Sequence, residues 1–375
     1  MIRSLRSLSI LIGALALVAT AAPLSAQRGI GVGLANAPGL NQPVRVDCSQ
    51  GDSLQAALDS VPQNQAQITI DIHGFCAEQI TIERKVIIRG ADPQNDGITG
   101  APLGNNTALV VVFGVKGFGL IGSETVRFEH LTIKDSSNIG VSVNASQLGL
   151  TDVTIRNNGN IGLGAFQASF VAATSLTAAD NIGAGLFSRG NLSCANCVVS
   201  GNGGVSGAGI GADQAGKIVL VNTSLTGTRG LQATSSGEVT MISGTIVAAQ
   251  RAATVVSGGH VFFQDGTQVT GSVACGLQGI LDSRRGTGTA GMTQISNASG
   301  GNNLITNGCF FLAGPGTTTL TGNTFVTAGG YVGIEGGAAG TTVKFNALAC
   351  SSGGKVTGAT ITVNNVPGIP AGCGT

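Results

Sequence analysis

The triplet Asn-Ile-Gly occurs three times, at Asn138-Ile139-Gly140, Asn160-Ile161-Gly162 and Asn181-Ile182-Gly183, with steps of 22 and then 21. A step of that size is one coil of a parallel β-solenoid. It predicts that Asn138, Asn160 and Asn181 stack at one turn of successive coils. Asparagine adopts left-handed turn geometry cheaply, and its amide can bond its own backbone and the asparagine one coil above. These three residues are therefore read as structural supports rather than as a stripe for sugar hydroxyls.

The flanking segments keep the period. Leu131-Thr132-Ile133 aligns with Val153-Thr154-Ile155, then Ser175-Leu176-Thr177, then Cys197-Val198-Val199, each at a step of 22. Ser224-Leu225-Thr226 follows after 27, with an insertion around 207–216, and Thr245-Ile246-Val247 after a further 21. Gln268-Val269-Thr270 is about one coil beyond. Each coil then holds several short strands, and coils sit about 4.8 Å apart. Composition agrees. Glycine makes up 61 of 375 residues without a Gly-X-Y period, which excludes collagen, and 10% charge against 42% hydrophobic residues excludes a disordered tail. Aromatics at 4% leave the interior to Val, Ile, Leu and Ala, which suits a narrow repeating core.

The chain divides into four stretches. Residues 1–26 read as a signal peptide. Arg3 and Arg6 precede the apolar run Leu8–Val18, and small residues lead to cleavage after Ala26 or Ala21. The run is short for a membrane span and lacks stop-transfer charges, so the mature chain has no integral span. Residues 27–45 are a flexible lead-in. Residues 46–275 form the solenoid, and 276–375 continue as irregular coils and a C-terminal cap, with a separate second domain as the alternative. Asp52 or Ser53 caps a short amphipathic helix through Ser60 that covers the first coil. Strands follow at Ile68–Ile72, Gln79–Glu83, Val86–Ile88 and Ala108–Phe113, and polar residues 94–106 loop out. Past 275, strands are expected at Thr318–Leu320, Phe325-Val326, Val343–Phe345 and Ile361–Val363. Glycine-rich turns are expected at Ala298–Asn303 and Gly333–Gly340.

Eight cysteines after an export signal favour disulfides. Proximity suggests Cys48–Cys76, Cys275–Cys309 and Cys350–Cys373. Cys194 and Cys197 close a small loop, form a redox pair or remain buried thiols. One CxxC without a nearby histidine gives no metal site, and no ligand set for Ca²⁺ is present, so no cofactor is expected. A formal charge of +1, falling to about −1 on loss of Arg3 and Arg6, and basic runs no longer than Arg84-Lys85 or Arg284-Arg285 give no nucleic-acid surface.

The densest charged group is Arg127, Glu129, His130, Lys134, Asp135, Asp152 and Arg156. A step of 22 puts His130 beside Asp152 and Lys134 beside Arg156. An imidazole–carboxylate pair can act as general base or acid, and adjacent cations can hold a substrate carboxylate, the chemistry of polysaccharide β-elimination. Exposed charge ladders on strands are also common without catalysis. A hydrolase needs carboxylates at a fixed separation, for which Asp135 and Asp152 are the nearest pair. Asp47, Asp52 and Asp59 read as turn or helix-end groups, and His73 and His260 as isolated surface histidines. Phe166 and Phe187, one repeat step apart, are expected to stack in the core or along an edge.

Val46-Asp47-Cys48, the helix Asp52–Ser60, Ile68-Thr69-Ile70-Asp71-Ile72-His73-Gly74-Phe75-Cys76 and Gln79-Ile80-Thr81-Ile82 resemble the start of bacterial secreted right-handed parallel β-helix proteins, the pectin-lyase-like superfamily. The resemblance covers roughly 46–275. It implies an all-β fold, one right-handed parallel β-helix with a short N-terminal capping α-helix, and it raises the expectation of a polysaccharide or cell-surface glycan partner. The chain lacks the Asp-Asp, Gly-His-Gly and Arg-Ile-Lys motifs of polygalacturonases. It also lacks the Trp-Ile-Asp-His and Arg-x-Pro-x-x-Arg stretches of pectate lyases. No catalytic residue is carried over. The expectation is a secreted or surface-associated, non-enzymatic binding or scaffolding protein, with the periplasm as another destination. The alternative is a divergent polysaccharide lyase or glycoside hydrolase using His130, Asp152, Lys134 and Arg156.

Overall fold

The computed structural model describes residues 42–374 apart from 62–66, 102, 106, 116–125, 204–206, 284–293, 297–302, 314–316, 334–341, 352, 358–359 and 364–365. The signal-peptide reading of 1–26, nearly all of the lead-in and most of the two glycine-rich turns past 275 lie outside the described residues. The described chain is all-β, a parallel β-solenoid with one short α-helix near its N-terminal end. Among the described ladders, only Thr360–Val363 with Val366–Pro367 is antiparallel.

Each coil has three walls. In one coil, 147–151 lies in the first wall, 153–156 in the second and Leu163–Phe166 in the third. Phe170–Thr174 then returns to the first wall beside 147–151. Alternate residues of each strand point inward, so one inward position becomes a column of apolar side chains along the axis. On the first wall that column runs Val126, Leu148, Val171, Leu192, Ile218, Val239, Val261, Leu281, Phe311, Val332 and Val356. All are buried. The column crosses residue 275 without a break, so the irregular C-terminal stretch is more of the same solenoid, with strands Thr317–Val326, Thr342–Cys350 and Thr360–Val363 covering the expected segments.

In seven successive coils the first and second walls meet at a left-handed residue, His130, Asp152, Ser175, Asn196, Asn222, Ser243 and Asp265, with φ between 49° and 56°, and Gly266 after the last is left-handed too. Short polar side chains tolerate that conformation best, which explains the sequence of this corner. A second corner places Asp135, Asn157, Asp180 and Gly201 at positive φ. The residue after each of these is buried: Ser136, Asn158, Asn181 and Asn202. These form the asparagine ladder. The Asn158 Nδ2 donates to Asn181 Oδ1 at 2.7 Å, and the Asn181 Nδ2 to Asn202 Oδ1 at 2.8 Å. Backbone N–H groups of Ser136, Asn158 and Asn181 donate to the side-chain oxygen one coil on. The last amide, Asn202 Nδ2, ends on the carbonyls of Ala178 and Ser200.

The three Asn-Ile-Gly triplets therefore do not stack as one set. Asn160 N donates to Asn138 O, so the first two are neighbours, but Gly183, not Asn181, follows Asn160, and Asn181 sits on Asn158. The coil step there is 23, seen in Thr154 opposite Thr177, and the next is 21, seen in Thr177 opposite Val198. Ser175-Leu176-Thr177 is accordingly one position out of the uniform alignment. Two further expectations change. The stretch 94–106 contains strand Gly97–Thr99, paired with Phe75–Cys76 and 132–134, and the first strand begins at Val44, inside the lead-in.

The helix Leu54–Ser60 buries Leu54 and Leu58 over the open end of the core. Its free N–H groups are met from two sides. Ser53 Oγ accepts from Ala56 N, and the Glu78 carboxylate accepts from Leu54 N, Gln55 N and Ser53 Oγ. The Gln55 amide also bonds Thr81 N and O, closing the edge of strand Ile80–Ile82 that would otherwise invite pairing with another chain. Disulfides join Cys48–Cys76, Cys275–Cys309 and Cys350–Cys373, as proximity suggests, and Cys194–Cys197 closes the small loop.

Candidate functional site

The coil step places His130 and Asp152 together. His130 Nδ1 lies 2.9 Å from Asp152 Oδ2, both half-exposed at the first corner. Lys134 and Arg156 are likewise in register on adjacent coils. The two pairs do not converge. Strand residues 131–134 separate them, about 13 Å of extended chain. Lys134 Nζ sits 4.0 Å from the Phe75 ring centroid and 3.8 Å from Asp135. Asp135 also accepts from Thr99 Oγ1 at the second corner, while Asp152 faces His130 at the first, so these two carboxylates do not face each other.

His73 is not isolated. Its Nδ1 lies 3.4 Å from Asp96 Oδ1, with the imidazole open to solvent and the carboxylate buried. Along this edge the chain carries His73, Asp96, His130 and Asp152 on successive coils, because Phe75 pairs with Gly97 and Gly97 with Thr132. Asp96 is a built anion position. Its oxygens accept from the N–H of Gly74, Ala91 and Asp92 at 2.8, 2.8 and 3.0 Å. Burial alone would raise its pKa; the three N–H groups and His73 outweigh that and hold the carboxyl below the ordinary range. Asp47 is also held low, chiefly by the Ser49 hydroxyl and against a smaller burial effect, with His73 and main-chain N–H groups adding to the lowering.

An open cleft of about 440 Å³ lies beside this edge, lined by Arg45, Asp47, Asp71, His73 and Arg89 among others. Arg45, Asp71 and Arg89 line it as a cross-coil ladder of alternating charge, which Glu129 continues on the next coil outside the cleft. The Arg89 Nη2 to Asp71 Oδ1 distance is 2.8 Å. Sequence reasoning missed the His73–Asp96 contact, although a step of 23 from His73 reaches Asp96.

Asp96 gives a sharp pH prediction. Its folded pKa is depressed, so its stabilisation is present above the unfolded carboxylate value of about 3.9 and is lost as pH falls through the folded value. Asp96→Ala should cost about 2–3 kcal/mol at pH 7, since three charge-assisted bonds vanish and their N–H groups lose partners. Urea unfolding at pH 7 and pH 3 should show the gap between variant and wild type narrowing in acid. A gap independent of pH would contradict this role.

Further along, the outer side of the first wall changes character. Lys217, Glu238, His260, Ile280, Phe310, Tyr331 and Lys355 form one outward column, one residue per coil. Phe310 and Tyr331 rings are 5.9 Å apart, and His260 meets Phe262 edge-on at 6.0 Å. Val219, Val221 and Phe310 are exposed on this wall, and Ile242 and Tyr331 are half-buried.

No protein-family model matches the chain, and no curated protein sequence matches it.

Proposed function

We propose that this chain is a secreted, surface-associated binding or scaffolding protein whose partner is an extended extracellular polysaccharide, held without cleavage. The observation that carries the reading is the outer strip of the first wall. Apolar and aromatic groups recur there at the coil spacing and are bordered by hydroxyl, amide and charged side chains. An exposed apolar strip of this kind marks an interaction surface. A sugar polymer suits it, because sugars offer C–H faces to aromatic rings and hydroxyls to polar borders, and a chain lying along the axis meets His260, Ile280, Phe310 and Tyr331 on four successive coils. Four disulfides are consistent with export to an oxidising compartment. The resemblance of roughly 46–275 to the pectin-lyase-like superfamily supports a glycan partner, while fold alone licenses no reaction.

A glycan array probed with the mature protein should show retained polysaccharide, and Phe310→Ala with Tyr331→Ala should weaken it by at least tenfold. No binding across plant and bacterial glycans would sink the reading.

The second reading is a divergent lyase or glycosidase. It draws on the His73, Asp96, His130 and Asp152 edge beside the charged cleft, where an imidazole paired with a carboxylate can take or give a proton. New unsaturated or reducing ends in the same incubations, lost in His130→Ala or Asp152→Ala, would decide for it.

A further inference from the structure

The third wall carries a second aromatic surface, far round the coil from the strip described above. Phe113, Asn144 and Phe166 are aligned on three successive coils. In the adjacent outward column Phe187 stands between Gly164 and Gly211. Phe113 is 50% exposed, so a large apolar face is left in water.

Two glycines explain how the rings lie. A Cβ on Gly164 would fall 2.3 Å from a Phe166 ring carbon, and a Cβ on Gly211 would fall 3.3 Å from the Phe187 ring. Lacking a side chain, these positions let the rings fold down onto the strand backbone. The Phe166 and Phe187 centroids are 5.9 Å apart with planes tilted by 42°.

The border of this surface is fixed as well. The Arg189 guanidinium lies 5.5 Å from the Phe187 centroid and is held by Asp213 at 3.0 Å. Asp213 also accepts from Thr234 Oγ1 at 3.1 Å. Asn144, in register between Phe113 and Phe166, donates from Nδ2 to Ser142 Oγ at 2.9 Å. Arg189 and Asp213 neutralise one another, so the platform offers aromatic faces and hydrogen-bonding groups with no net charge to recover from an anion.

We propose that Phe113, Phe166, Phe187 and Arg189 form a separate binding platform for a neutral oligosaccharide, with pyranose C–H faces on the rings and the sugar chain running along the solenoid axis. Phe113 and Phe166 are two coils apart, roughly 9.6 Å, so they would contact separate sugar rings, with Asn144 between them. Arg189 and Asn144 would donate to ring hydroxyls. The site rests on the glycan-binding reading but uses a different wall, so the two can fail separately.

The test is affinity electrophoresis of the mature protein with cellohexaose, xylohexaose, mannohexaose and polygalacturonate as probes. The substitutions are Phe166→Leu and Phe187→Leu, which keep apolar volume but remove the aromatic face, and unfolding temperature is the control for folding. The expected result is binding of at least one neutral hexasaccharide, insensitive to salt, and weakened at least tenfold in the double Leu variant with its unfolding temperature kept. Unchanged affinity in that variant overturns the platform while leaving the first-wall reading intact. Binding confined to polygalacturonate, or no binding to any of the four probes, overturns it too. A double Leu variant that unfolds would be replaced by Arg189→Gln, whose affinity for the neutral probe is expected to fall severalfold; no fall would count against the site.

Discussion

Asn181→Ala is expected to lower the stability of the folded chain by about 3–5 kcal/mol, while Asn160→Ala changes it by less than about 1 kcal/mol. Both asparagines belong to the same sequence triplet, so the contrast comes from position alone. Asn181 is buried, its oxygen accepts from the Asn158 backbone and side chain, and its amide reaches Asn202 Oδ1 and the Ile155 carbonyl. Truncation strands donors on one coil and an acceptor on the next inside the core, where neither finds water. Asn160 is exposed and contributes chiefly through its backbone. Urea unfolding of the two variants measures the difference directly. Equal losses would show that the ladder does not hold the second corner.

Removing the Cys48–Cys76 disulfide by double serine substitution should cost about 3.5 kcal/mol, against about 1.5 kcal/mol for Cys194–Cys197. The sequence separations are 28 and 3, and a longer closed loop removes more freedom from the unfolded chain. Position adds to the difference. Cys48 follows the first strand, and Cys76 ends the coil beneath the helix Leu54–Ser60, so this bond pins the cap to the solenoid. Loss of the cap would uncover Leu54, Leu58 and the edge of Ile80–Ile82, and soluble aggregates should accompany the lower urea midpoint. Matched midpoints for the two double variants would contradict the loop-length argument.

Much of the architecture is legible in the residues, because a solenoid repeats its physics every coil. The step from His130 to Asp152 is 22, and the pair meets. The ladder is less legible. A coil step of 23 followed by one of 21 covers the same length as two of 22, so a uniform period aligns Thr154 with Val198 correctly and misplaces Thr177 between them. Residue type does not separate Asn158 and Asn202, which turn inward, from Asn138 and Asn160, since asparagine serves both inward turns and exposed ones. His73 and Asp96 were hidden by the turn at 90–95, which makes a coil contact look like a loop. Phe310 and Tyr331 are partners one coil apart, but they fall where insertions between the strands blur the repeat.

The most direct test of binding without turnover is product analysis on the polysaccharide that the protein retains. Mature protein and that polymer would be incubated to equilibrium, and the solution assayed for unsaturated ends and new reducing ends. Binding as a scaffold predicts a retained polymer of unchanged length and no new ends above the buffer control. New ends that disappear with His130→Ala or Asp152→Ala would contradict it and make the His130–Asp152 pair catalytic.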